Sequence, residues 1–285
     1  MSNMLKSDAL AAAYAHCEKL VRDEDDDRWR ATLFAPAEAR PHLFALYAFS
    51  NEVARVRAQA SDPMPGEIRH QWWRDALAGE ARGDASAHPV AAALLDTVAR
   101  FHLPVKALID LIDARTFDLY DDPMPSLAQL EGYCGETSSA LMRLASLVIA
   151  KGEDPGGADA VGHAGVAYAL VGLMRSLPWH ARRGQVYVPK EILDRHGVTR
   201  DDIVAGRGGP GLVGALRDLR GVARLHLENY RAQAPHAKPV VIACAAAALA
   251  EPYINAMERR SDDPLRAVVE LSPFRKMWSL WRGRI

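Results

Sequence analysis

Two stretches of this chain are apolar on almost every side when wound at a helical period. Leu43, Leu46, Tyr47, Phe49, Val53 and Val56 cover a broad face of one. Val161, Val166, Tyr168, Leu170, Val171, Leu173, Met174 and Leu177 nearly encircle the other. A helix without a polar face belongs at the centre of a bundle, so further helices must wrap both. The rest of the sequence supplies them: the helical period marks residues 7–21, 36–60, 65–79, 89–101, 104–120, 126–150, 158–177, 211–234 and 239–259. Ser, Asp or Pro stands at many of the starts, and Pro104, Pro123, Pro125, Pro155 and Pro239 fall between periods. Extended pattern is confined to residues 185–188. With no repeat of fixed period and no linker, the pattern predicts one all-α domain over residues 1–285.

Composition excludes more functions than it suggests. Lys plus Arg number 35 and Asp plus Glu 36, a net charge of −1, which creates no field for a nucleic acid. Cys17, Cys134 and Cys244 are odd in number and far apart, as expected of reduced, buried thiols and not of a disulfide framework. No CxxC or HExxH pattern occurs, so no dedicated zinc site is expected. The uncharged apolar runs 161–174 and 239–250 fall short of the ~18 residues that suggest a membrane span. The N-terminal residues lack the basic-then-apolar order of a secretory signal. These features predict a cytoplasmic protein that is at most peripheral to a membrane.

Three motifs carry more specific information. Arg40-Pro41-His42-Leu43-Phe44-Ala45-Leu46-Tyr47-Ala48-Phe49 opens the first central helix, and Tyr133-Cys134 lies in a later one. Ala181-Arg182-Arg183-Gly184-Gln185-Val186-Tyr187-Val188-Pro189 follows the second central helix. In order and spacing they resemble the squalene/phytoene synthase family, over roughly residues 7–259. The resemblance implies that family's isoprenoid-synthase-type helical bundle with a central cavity. It also implies a chemistry in which acids on the two central helices hold Mg²⁺ against a prenyl diphosphate. The metal then neutralises the leaving group as the carbon–oxygen bond breaks. Here the six acid positions fall on Ala54, Arg55 and Ala58 and on Ser176, Trp179 and His180. None is a carboxylate, and Arg55 would repel the metal, so no catalytic residue, no Mg²⁺ and no metal-dependent prenyl transfer are expected.

Four further segments are similar to one branch of that family, the branch containing a mitochondrial complex I assembly factor. They are Ala48-Phe49-Ser50-Asn51-Glu52-Val53-Ala54, Arg69-His70-Gln71-Trp72-Trp73, Thr137-Ser138-Ser139 and Pro178-Trp179-His180. This resemblance implies a non-catalytic role beside a respiratory complex I subunit or assembly intermediate, at the inner membrane. Two alternatives stay open. One is a divergent prenyl transferase with Mg²⁺ relocated to Asp110 and Asp113. The other is a carrier of an isoprenoid or another apolar ligand.

Several side chains are candidates for binding in their own right. Arg55, Arg57, Arg175, Arg182 and Arg183, with Tyr187, could meet an anion directly, because guanidinium forks match phosphate and carboxylate. Pairing with Glu52 and other surface acids is the competing reading. Asp110 and Asp113 share a helix face, and Arg115 offers Asp113 a salt-bridge partner. The acidic run from Asp23 to Asp27 predicts a helix N-terminus. Gly206, Gly208 and Gly211 spell GxGxxG but follow no strand, so they predict a loop before a helix. His180 is expected to be a hydrogen-bonded cavity or core histidine. Finally, Phe274, Trp278, Trp281 and Ile285 recur on one helical face of residues 272–285, with Arg275, Lys276, Arg282 and Arg284 and no acid. Such a segment suits an anionic lipid interface. Phe274, Arg275, Lys276, Trp278, Trp281 and Arg282 are thus candidates for membrane or partner contact, and docking of the aromatic face on the protein's own core is the alternative.

Overall fold

The computed structural model describes residues 2–59, 62–81, 83–260 and 263–283, with side chains from residue 8 onward. Among these residues every regular element is a helix. The chain opens with α1 (Ser2–Glu24), α2 (Asp26–Thr32) and α3 (Arg40–Gln59). The acidic run divides the first two as expected: α1 ends at Glu24, and the Asp25 carboxylate accepts from the Arg28 amide at the start of α2. Then come α4 (Pro63–Ala78), α5 (Pro89–Phe101) and α6 (Val105–Thr116). α7 (Leu127–Cys134) passes through one π-helical turn, Gly135–Ser139, into α8 (Ala140–Ile149). α9 (Ala158–Arg175), α10 (Leu177–Ala181), α11 (Lys190–Arg195), α12 (Arg200–Val204) and α13 (Gly209–Ala232) follow. The chain closes with α14 (Lys238–Ala243), a 3₁₀ turn at Ala245–Leu249, α15 (Ala250–Glu258) and α16 (Pro273–Arg282).

Backbone packing divides the chain into two compact units made of interleaved segments. The first contains the residues up to Leu119, Ala140–Gly157 and His236–Ala243. Its centre is α3, in which every residue from His42 to Ser50 is buried. α1, α5 and α8 pack around it, and α14 packs on α8. Burying side chains such as Leu43, Leu46 and Phe49 stabilises the unit by about 1.5–3 kcal/mol each. The second unit holds Tyr120–Ser139, Ala158–Pro235 and the residues from Cys244. Its centre is α9, whose residues from Ala160 to Arg175 are all buried or half-buried. α13 runs along α9, and the π-helical turn crosses it at Gly165. A Cβ at Gly165 would lie 2.4 Å from the Ser139 Cα, so only glycine allows the two backbones to meet.

Several sequence expectations change at this level. Residues 185–188 form no strand; Gln185, Val186, Tyr187 and Val188 run irregularly and are buried. The helix expected at 126–150 is interrupted by the π-helical turn, where the Thr137 hydroxyl donates to the Tyr133 carbonyl at 2.6 Å. The one expected at 239–259 breaks at the 3₁₀ turn because Pro252 lacks an amide hydrogen and fits only the first turn of a new helix, α15. Pro178 acts in the same way in the first turn of α10, separating it from α9. Cys17, Cys134 and Cys244 are buried and form no disulfide, as their spacing suggested. No described helix is long and apolar enough to cross a membrane.

Candidate functional site

On α3, Ala54 is half-buried while Arg55 and Ala58 reach solvent. The Arg55 guanidinium donates to Glu24, not to Glu52. One turn away, Glu52 lines a cavity of about 330 Å³ together with Arg55, Arg69, Trp72, Trp73 and His88. Glu52 and the Arg69-to-Trp73 segment come from separate sequence motifs, and the packing of this unit brings them to one place. The Trp72 and Trp73 rings meet edge to face with centroids 5.0 Å apart, and Phe49 supports Trp73 from the core at 5.1 Å. His88 caps α5: its Nδ1 accepts from the Ala91 amide at 3.4 Å, which leaves the proton on Nε2, 3.5 Å from the Glu52 carboxylate. Burial pushes the Glu52 carboxyl up to about 7; the nearby Glu24 adds to the rise, while Arg55 and Arg69 pull against it. Burial, helped by the neighbouring His16, moves His88 down. Near pH 7 the Glu52 carboxyl is therefore about half protonated, beside a His88 ring whose neutral form is favoured.

The second group of positions lies in the other unit. Ser176 joins α9 to α10, Trp179 is exposed on α10, and His180 is half-buried. His180 stands edge-on to Trp179 and to the buried Tyr187, with centroids 5.0 and 4.9 Å apart. The arginines once grouped by sequence separate here. Arg183 stacks over the Trp179 ring at 3.8 Å. Arg182 reaches the Arg266 carbonyl at 3.5 Å. Arg175 lies over the Tyr253 ring at 4.3 Å and 3.8 Å from Glu270. Of these three, Arg175 alone lines a cavity of about 490 Å³.

That cavity is lined by apolar side chains that include Met174, Leu216 and Met257, and by Arg175, Arg217, Arg220 and Arg260. Two acids, Glu258 and Asp263, share the lining. Arg224 holds Glu258 through two bonds of 2.8 Å, which keeps its carboxyl below the usual range. The lining thus combines four arginines, two acids and apolar side chains, a composition suited to an anion with an apolar tail. Arg217 and Arg220 were absent from the sequence candidates. Their spacing on α13, with Arg224 one turn on, was the available signal.

The acids of α6 are paired with basic side chains. Asp110 binds Lys106 at 2.6 Å. Asp113 binds Arg74 at 2.6 Å, not Arg115, which pairs with Asp118 at 3.0 Å. Among the described residues no group of three or more His, Cys, Asp or Glu side chains is placed to hold a metal ion.

α16 also departs from expectation. Leu280 is fully buried and Lys276 is only 5% exposed, whereas Phe274 is 79%, Trp278 50% and Trp281 52% exposed. The aromatic face does not dock on the core; the face of Lys276 and Leu280 does, against the 3₁₀ turn at Ala245–Leu249. Lys276 therefore leaves the set of contact candidates, being held by Glu270 at 3.3 Å. Arg284 and Ile285, which the sequence pattern placed on this segment, lie outside the described residues.

Comparison with known proteins places these features in context. A family model described as squalene/phytoene synthase matches residues 21–282. NADH dehydrogenase (ubiquinone) complex I, assembly factor 6 of Rattus norvegicus is 31% identical over 219 residues, 77% of this chain and 66% of that protein. Presqualene diphosphate synthase of Zymomonas mobilis is 34% identical over 202 residues, 67% of this chain and 65% of that protein. The matches thus span a little under two thirds of these relatives. A crystal structure of a dehydrosqualene synthase superposes with a TM-score of 0.80 at 17% identity, covering 98% of each chain, which shows the fold.

Proposed function

The chain belongs to the squalene/phytoene synthase family, and we propose that it works without catalysis as an assembly factor for the respiratory NADH dehydrogenase, complex I. The observation that carries this reading is the similarity, over 77% of the chain, to a protein named for that role. The side chains at Ala54, Arg55, Ala58, Ser176, Trp179 and His180 support it. Mg²⁺ against a diphosphate needs hard anionic oxygen ligands, and these six residues supply no carboxylate while Arg55 adds a positive charge. They do not fit the metal, and Asp110 and Asp113 are already neutralised by Lys106 and Arg74. In this reading the family scaffold presents surfaces to a complex I subunit or assembly intermediate, peripherally at the inner membrane. Affinity capture of the full-length protein from solubilised native membranes tests it. NADH dehydrogenase subunits should be enriched over a mock capture; their absence, with complex I levels normal in a deletion strain, would overturn the reading.

The 34% identity to a presqualene diphosphate synthase favours a second reading, a prenyl transferase with an altered site. Mg²⁺-dependent release of diphosphate from farnesyl or geranylgeranyl diphosphate, above a protein-free blank, would decide for it. The arginine-lined cavity of about 490 Å³ also supports a bound isoprenoid or anionic lipid in the non-catalytic protein. Mass spectrometry of lipid extracted from the purified protein tests that ligand.

A further inference from the structure

We infer that the outward face of α16 is a membrane-docking surface that fits the interface of an anionic lipid bilayer. The inference deepens the inner-membrane location proposed above and rests on that part of it alone. α16 is held firmly by its inner face. Ser272 caps its start by accepting from the Arg275 amide at 3.3 Å, and Leu280 is fully buried. The Lys276 ammonium lies 3.3 Å from Glu270 and 6.0 Å from the centre of the Tyr253 ring. At the far end Gly283 presses on the 3₁₀ turn, where an added Cβ would come within 2.5 Å of the Ala248 Cβ. This clamp leaves Phe274, Trp278 and Trp281 facing solvent as one strip, with the two indole centroids 5.3 Å apart.

Three large aromatic side chains in one exposed strip mark an interaction surface, since soluble proteins keep such strips small. The flanking charges select its partner. Arg275 and Arg282 border the strip, and α16 contains no acid. Indole and phenyl rings favour the boundary between acyl chains and headgroups, and arginines beside them meet lipid phosphates and anionic headgroups. At ten residues α16 is about 15 Å long, too short to span a bilayer but long enough to lie in its surface. A bilayer satisfies the apolar strip and the cations together.

Co-sedimentation of the full-length protein with vesicles tests this, using phosphatidylcholine alone and phosphatidylcholine mixed with phosphatidylglycerol. The mixed vesicles should bind, and the neutral ones should bind much more weakly. Arg275→Gln with Arg282→Gln should weaken binding to the mixed vesicles about tenfold or more. Trp278→Ala with Trp281→Ala should abolish both binding and the quenching of tryptophan fluorescence by brominated lipid. All four side chains lie on the outward side of a clamped helix, so the thermal unfolding of both double variants should match the parent. Equal binding to both vesicle types, no binding, or unchanged binding in either variant would overturn the inference. So would a tryptophan-dependent dimer seen by light scattering without vesicles. Loss of complex I subunits from the capture with vesicle binding intact would refute the assembly role alone.

Discussion

Replacing Glu52 with glutamine should stabilise the protein, and only above a defined pH. In the folded chain burial and the neighbouring Glu24 raise the Glu52 carboxyl from its ordinary 4.5 to about 7. The folded state therefore binds that proton more tightly than the unfolded chain does. Stability falls as pH rises from 4.5 to about 7, and the loss is complete above that window. A displacement of this size has a ceiling of about 3.4 kcal/mol. The side chain is 24% exposed, so solvent screening reduces the expected penalty to about 1–2 kcal/mol. Glu52→Gln removes the charge and keeps a polar partner for His88. Urea unfolding on either side of the window should show the variant equal to the parent at the acid end and about 1–2 kcal/mol more stable at the alkaline end. A difference that stays constant with pH, or a variant less stable when alkaline, would refute the reasoning. Arg55→Ala should widen the same window upward, because its guanidinium pulls the carboxyl down.

Three other outcomes test the packing and the cavity. Gly165→Ala forces a methyl group against the Ser139 backbone and should cost about 1–3 kcal/mol in urea unfolding, whereas Gly162→Ala on the same helix meets open space and should gain about 0.5–1 kcal/mol; equal effects would contradict the crossing. Lys276→Ala should destabilise the seat of α16 by about 1–2 kcal/mol, less than for a fully buried pair because Glu270 is half in water, with faster amide exchange over residues 273–282. Lys276→Met, which keeps the stem packing, should recover part of this. Arg175→Ala should weaken binding of inorganic diphosphate about tenfold or more, while Arg182→Ala, which does not line the cavity, should leave it unchanged; identical affinities for the two variants would remove the arginine-lined cavity as a binding site.

Much of the helical framework is legible in the sequence because helix formation is local. The carboxylate of Asp25 and the hydroxyls of Ser126 and Ser272 cap the helices that follow them, and each lies within three residues of the amide it accepts from. Exceptions arise where one residue overrides the period, as Pro178 and Pro252 do. The binding sites were less legible. Arg175 was named from its motif, but its cavity companions Arg217, Arg220 and Arg260 come from α13 and the segment after α15. Glu52, Arg69, Trp72 and His88 belong to three separate segments that meet because of how α4 and the start of α5 lie against α3.

α16 shows the same division within a single helix. Composition and period alone determined that it is a basic helix with an aromatic face, because side-chain direction repeats with the backbone. They did not determine which face meets the protein, since Lys276 and Leu280 form a second stripe at the same spacing as Phe274 and Trp278. The tertiary structure decided that. Small residues at Ala245–Leu249 let Gly283 approach Ala248 closely, and Glu270 waits to neutralise Lys276, so the smaller face is buried and the aromatic one is left to water. A helix's faces are local properties, but their burial depends on the shape and charge of residues distant in the chain.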